Sequence, residues 1–134
     1  MGTFALDISK WIEKAKGRET IVVRKVALDI FRRVILRTPV DTGRARGNWQ
    51  CAIEDIPTAA LATVDPDGGA TVASAADIVQ SMKAGDRIFL VNNVVYILSL
   101  EDGHSKQAPA GMVGITLTEF GAVVDQAVDE AKSA

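Results

Sequence analysis

The chain has 134 residues, 48% of them apolar, with 15 Lys/Arg against 17 Asp/Glu and a formal net charge of −2. That length holds one domain able to bury its own core, and the single cysteine, Cys51, excludes an internal disulfide framework and suits a reducing compartment. No window approaches the roughly 20 uninterrupted apolar residues that cross a bilayer, so no membrane-spanning helix is expected.

Met1-Gly2-Thr3-Phe4 lacks a basic patch followed by an apolar stretch, so no secretory signal is expected there. Phe4, Ile8, Trp11, Ile12 and Ala15 recur at helical spacing and predict a first helix over residues 4–16, peripheral to the domain, capped by Thr3 and stopped by Gly17. A second helix is predicted from about Arg18 to Thr38. Val22, Val23, Val26, Ile30, Phe31 and Val34 form its apolar stripe, and Arg24, Lys25, Asp29, Arg32 and Arg33 cover much of the rest. Pro39 pushes Thr38 out of helical geometry and marks the end. At 1.5 Å per residue this helix is about 30 Å long, the spine of a small domain.

After the Asp41-Thr42-Gly43 turn, Gly47, Trp49, Cys51 and Ile53 alternate with Asn48, Gln50 and Ala52, the two-residue period of a half-buried strand. Residues 57–70, with Pro57, Pro66 and Asp67-Gly68-Gly69, read as a loop or strand edge ending in a solvated tight turn. Ser74 and Asp77 have capping-box spacing and predict a short helix through Met82. Arg87 to Asn92 reads as a strand after the Ala84-Gly85-Asp86 turn, and Val94 to Asp102 as a short helix. One final helix is predicted from Pro109–Met112 onward, with Met112, Ile115, Thr116, Phe120, Val123, Val124, Ala127 and Ala131 on one side. The sum is a single α+β domain of long helices packed on a small antiparallel sheet.

Reactive groups are scarce. His104 is the sole histidine, so one chain cannot form a metal site with two histidines. Cys51 shares the strand face of Trp49 and Ile53, where a cysteine acts as a small hydrophobe. Gly43-Arg44-Ala45-Arg46-Gly47 lacks the ending of a P-loop. Asp65-Pro66-Asp67-Gly68-Gly69 lacks the further acids of a calcium loop. Glu101 and Asp102, just before Gly103, read as helix-end or interface charges. No catalytic residue, cofactor or metal is expected.

The charge is divided unevenly. Residues 1–46 hold 11 Lys/Arg and 5 Asp/Glu, giving +6; residues 47–134 hold 4 and 12, giving −8. Three readings stay open: solvated helix faces, oppositely charged faces meeting between copies, or a small nucleic-acid-binding regulator using the Arg-rich helix 18–38 and the following turn. Against the last stand the acidic second half and the absence of an interleaved aromatic platform around Arg37, Arg44 and Arg46.

Two stretches carry a resemblance. In the first, Arg37-Thr38-Pro39-Val40-Asp41-Thr42-Gly43-Arg44 closes a helix and leads to Trp49. In the second, the Arg87–Asn93 strand is followed by Tyr96, the Leu100-Glu101-Asp102-Gly103 step, Ser105-Lys106-Gln107-Ala108-Pro109 and Gly111-Met112. In this order, over about residues 18–130, the chain resembles the tailed-bacteriophage minor tail, neck and tail-completion proteins. That family usually places a basic residue and an alanine or proline soon after the Gly-Met step, where this chain has Val113-Gly114-Ile115.

The resemblance implies a non-enzymatic virion structural protein of the head–tail junction, acting by subunit assembly as a homo-oligomeric ring. The implied partners are other head–tail junction or tail proteins. The implied location is the virion, with host cytoplasm during assembly; nucleic acid and membrane are not implied partners. It singles out Arg37, Pro39, Asp41, Thr42, Gly43, Arg44 and Trp49 in the first stretch, and Tyr96, Glu101, Gly103, Lys106, Gln107, Pro109, Gly111 and Met112 in the second. In a closed ring each copy meets its two neighbours through different surfaces, a contact the +6 and −8 halves would suit.

Overall fold

The computed structural model describes residues 19–133, so the first helix expected over 4–16, with Thr3 and Gly17 at its ends, lies outside the described residues. Residues Glu19–Arg37 form one helix, α1. Its apolar stripe is buried as expected, with Ala27 and Ile35 added to it. Four valines and three isoleucines make this a mediocre helix by intrinsic propensity. Burial of one face holds it together.

The remaining elements follow in chain order: α2 (Arg44–Gly47), β1 (Trp49–Ile53), α3 (Gly69–Ser81), β2 (Ile88–Asn92), α4 (Ile97–Glu101), α5 (Val113–Thr118) and α6 (Phe120–Ser133). β1 and β2 pair antiparallel, with Trp49 opposite Asn92, Cys51 opposite Leu90 and Ile53 opposite Ile88. A two-stranded ribbon is marginal alone. Here α3 packs on β1, and α1 packs on both α3 and α6. The core runs from the α1 stripe through Trp49, Val79, Met82, Ile88, Leu90, Ile97, Met112, Val123 and Val124. The described residues thus form one α+β domain of six helices and a two-stranded antiparallel sheet. None of the described helices is long and apolar enough to cross a membrane.

Four expectations are corrected. The strand does not reach back to Gly47, because Arg44–Gly47 makes a helical turn, closed by Gly47 N–H donating to Gly43 O at 2.9 Å. The third helix begins at Gly69 and does not use the Ser74–Asp77 box. Carboxylates ahead of it supply the missing acceptors: Asp67 Oδ1 takes the Gly69 N–H at 2.9 Å, and Asp65 Oδ2 takes the Thr71 N–H at 2.7 Å and its hydroxyl at 2.6 Å. Asp65 is therefore buried, not solvated. The final helix is two helices, broken at Glu119.

The end of α1 explains how these parts meet. Thr38 is fully buried and has every polar atom occupied. Its N–H donates to Ile35 O at 3.2 Å, and its hydroxyl donates to Val34 O at 2.8 Å. The same hydroxyl oxygen accepts the Trp49 indole N–H at 2.7 Å. Its carbonyl accepts Arg46 Nε at 3.1 Å and Nη2 at 2.8 Å, while the Arg46 guanidinium also donates to Leu36 O and Pro66 O. A cation on the last carbonyls of α1 completes its otherwise open end. Replacing Thr38 with Val strands the Trp49 N–H in the core, which should lower stability by about 1–3 kcal/mol. The urea midpoint of Thr38→Val against the parent chain measures this; an unchanged midpoint would show the bond to be dispensable.

Candidate functional site

The turn after α1 and the turn after α4 lie 67 residues apart in sequence and are joined by one side chain. Gln107 Nε2 donates to Val40 O at 2.9 Å, and Gln107 Oε1 accepts the Val40 N–H at 2.8 Å. This paired bond imitates a rung of antiparallel sheet. It forms a ridge between two shallow grooves. One, of about 300 Å³, is lined by Pro39 to Ala45 on one side and by Tyr96, Leu100, Ser105 and Gln107 on the other. The second, of about 400 Å³, runs from Arg37 and Pro39 to Pro109, Gly111 and Ile115.

Behind the ridge, Glu101 holds the second turn in place. Its Oε1 accepts the Met112 and Val113 N–H groups, each at 2.9 Å, and its Oε2 accepts the Gly114 N–H at 2.8 Å. These are the orphan donors at the start of α5, so this acid caps a helix eleven residues further on. Gly103 and Gly111 both have positive φ, +85° and +79°. A Cβ at Gly103 would stand 2.4 Å from Pro109 O, and one at Gly111 would stand 2.4 Å from Glu101 O. Both glycines are thus required by close backbone approach as well as by dihedral.

Arg37 fastens the far side. It donates to Thr116 Oγ1 at 2.8 Å and makes a two-pronged pair with Glu119 at 2.8 and 2.7 Å. Arg33 also reaches Glu119, at 2.9 Å, and binds Asp29 one turn back at 2.8 Å. These hydrogen bonds from Arg37 and then Arg33 bring the Glu119 carboxyl down to about 2. The grip on Glu119 coincides with the break between α5 and α6. With Lys25–Glu130 at 3.2 Å, these ion pairs join the basic half of the chain to the acidic half within the one chain.

The residues singled out by sequence therefore divide. Asp41, Thr42, Arg44, Tyr96, Lys106, Gln107 and Pro109 are exposed. Pro39, Gly43, Trp49, Gly111 and Met112 are buried, and Arg37, Glu101 and Gly103 lie between. The buried set is framework: Trp49 faces the core, and Gly43 O holds Gly47 and Asp65 through their N–H groups. Beyond the ridge stand the exposed apolar residues Val95, Tyr96 and Leu98, with Val95 80% exposed. Sequence reasoning missed Arg46 as a cap, Asp65 as a helix-start acceptor, and Glu119. The Asp65–Thr71 spacing was a usable signal. Glu119 had none, because its arginines lie 82 and 86 residues away.

The reactive side chains singled out in the sequence, Cys51 and His104, lie apart from one another. Burial pushes the Cys51 thiol up to about 12, far from a reactive thiolate. It lines a separate groove with Trp49, Thr71 and Ile78, away from His104. His104 Nδ1 lies 2.8 Å from Ser99 Oγ, an exposed contact closing the end of α4. No group of three or more potential metal ligands occurs among the described residues.

What the fold and this surface define is a small α+β domain whose polar side chains brace two turns into one ridge. Set against protein-family models, curated proteins and solved structures, the chain finds no match in any of the three.

Two consequences can be measured. Glu119 is held below its ordinary value of 4.5, so its contribution to stability is complete above that value and is lost as pH falls from about 4.5 toward about 2. Urea midpoints of the parent chain should drop across that window, and Glu119→Gln should be less stable at neutral pH but show a flatter acid response. Gly111→Ala should destabilise the fold by about 1–3 kcal/mol or more, since left-handed strain adds to the clash with Glu101. A denaturation midpoint equal to the parent's would contradict the close approach.

Proposed function

We propose that this chain is a non-enzymatic structural protein of a tailed-bacteriophage virion, acting at the head–tail junction or in tail completion by fitting against copies of itself and neighbouring particle proteins. The observation that carries this reading is the convergence of the two resembling stretches on one braced ridge. Residues from Pro39–Arg44 and from Tyr96–Gln107 line the same groove, although some 50 residues separate them in sequence. Ordered turns with little backbone freedom suit a repeated protein contact, because less entropy is lost on docking. The exposed apolar group at Val95, Tyr96 and Leu98 beside that groove suits the same role.

The charge asymmetry supports a ring contact less directly than its arithmetic suggested, because Arg33, Arg37 and Lys25 already pair with Glu119 and Glu130 inside one chain. The nucleic-acid reading loses ground for a related reason. Arg37 and Arg46, two of the three arginines around the Pro39 turn, spend their guanidinium groups on internal acceptors.

The test is assembly in the infected host. Deleting the coding segment should leave heads and tails unjoined by electron microscopy, and the chain should be detected in purified virions by mass spectrometry. Tyr96→Asp, on a normally folded protein, should be excluded from particles. Complete, infectious particles formed without the chain would overturn the proposal.

A further inference from the structure

Residues 58–64 are exposed throughout and carry no charge, yet their backbone is held in a two-residue rhythm. Asn93 Nδ2 donates to Pro57 O at 3.0 Å, and Gln50 Nε2 donates to Ala59 O at 2.8 Å. Asn48 takes both backbone groups of Leu61, donating to the carbonyl at 3.0 Å and accepting the N–H at 2.6 Å. Thr63 O lies 3.3 Å from the point where a side chain on Gly47 would begin, and the Asp65 N–H donates to Gly43 O at 2.9 Å. The odd-numbered residues therefore turn their backbone groups inward. Pro57, which has no N–H to offer, falls in that set. The chain bends at Ala59, and from Ala60 to Val64 it runs as an edge strand, with the Asn48 amide standing where a paired strand would be. Backbone groups alternate sides along such a strand, so Ala60, Ala62 and Val64 turn theirs outward. Those outward groups bond to no described residue.

We propose that this edge pairs antiparallel with the same edge of a second copy of the chain, Ala62 opposite Ala62. Outward N–H and C=O groups at every second residue are what another extended backbone satisfies. Proteins commonly blunt such an edge with a lysine or a proline, and Ala60-Leu61-Ala62-Thr63-Val64 has neither. No charge is stripped of water when the edge meets itself, and its alanines let two backbones approach closely. Charge at the two ends sets the direction. The Gly43–Arg44 turn stands at the Asp65 end; Arg44 Nε lies 3.5 Å from Leu61 O, and its terminal nitrogens bond to no described residue. The other end leads back to Asp55, an exposed acid outside every ion pair among the described residues. Antiparallel pairing brings the Asp55 end of each copy toward the Arg44 end of the other, whereas parallel pairing would set like ends together. One two-fold axis makes the two contacts equivalent. Five residues a side bury far less than the about 1,200 Å² of a stable interface, so the pair forms at high local concentration. It does not depend on the virion reading, and its backbone rungs lie outside the Val40–Gln107 ridge.

The full chain with Cys51→Ala offers a direct test, since Cys51 is its sole cysteine. Directly opposite residues in a hydrogen-bonded antiparallel pair have Cα atoms about 5.5 Å apart. Ala62→Cys in that background should therefore be bridged into a covalent dimer by a short bis-maleimide at high protein concentration. Ala122→Cys, on the exposed side of α6, should link several-fold less. Ala60→Pro removes one outward N–H and no inward one; with an unchanged urea midpoint, it should reduce linking at residue 62 several-fold. Arg44→Glu should also reduce that linking, and adding Asp55→Arg should restore it. Equal linking at residues 62 and 122, or full linking in a folded Ala60→Pro chain, would overturn the paired edge.

Discussion

The buried threonine at the end of α1 is the constraint on which the rest of this molecule hangs. Thr38 sits where a 19-residue helix must stop, ahead of a proline that cannot continue it. Its hydroxyl holds the indole of Trp49 and its carbonyl holds the guanidinium of Arg46. Those two bonds hold the start of β1 and the α2 turn against the helix end. Every polar side-chain atom brought into the core there has a partner, so the desolvation cost of burying it is offset. Helix, turn and strand consequently have a single relative placement.

From that junction the chain runs outward to Val40, and there the second braced turn meets it. The Gln107 amide joins the two turns, Glu101 organises the start of α5 behind them, and Arg37 anchors the break at Glu119. Individually such exposed or half-exposed contacts contribute modestly. Their effect is geometric, because each removes a freedom that the neighbouring one leaves. The result is a ridge with a groove on either side, built almost wholly from loop and helix-end residues on a helical support. Loops held in this way are where proteins commonly place the surfaces they present to partners.

Much of this was legible along the chain. The α1 stripe, the Trp49–Cys51–Ile53 alternation and the Ile88–Asn92 strand are periodic patterns, and periodicity reports which face is buried. The proline and glycine positions of the two turns were equally plain. Less legible were the helix beginnings and breaks. α3 starts five residues before its apparent capping box because Asp65, a buried acid in what read as a solvated turn, accepts from Thr71. α5 and α6 looked like one helix because their apolar positions keep step across Glu119. The interruption there comes together with two arginines from α1, and no local pattern announces them.

Local order in the amino acids was enough to specify an α+β domain, its long spine helix, its short ribbon and the residues that turn the chain. It was enough because those properties depend on neighbours three, four or two positions away. The pairing of Gln107 with Val40, the capping of α5 by Glu101 and the long-range pairing of opposite charges inside the chain depend on groups 11 to 105 residues apart. Hydrogen bonds and ion pairs act only at contact distance, so their partners are chosen by how helices and sheet pack. Sorting the candidate residues into a buried frame and an exposed ridge was therefore a decision of the packed core.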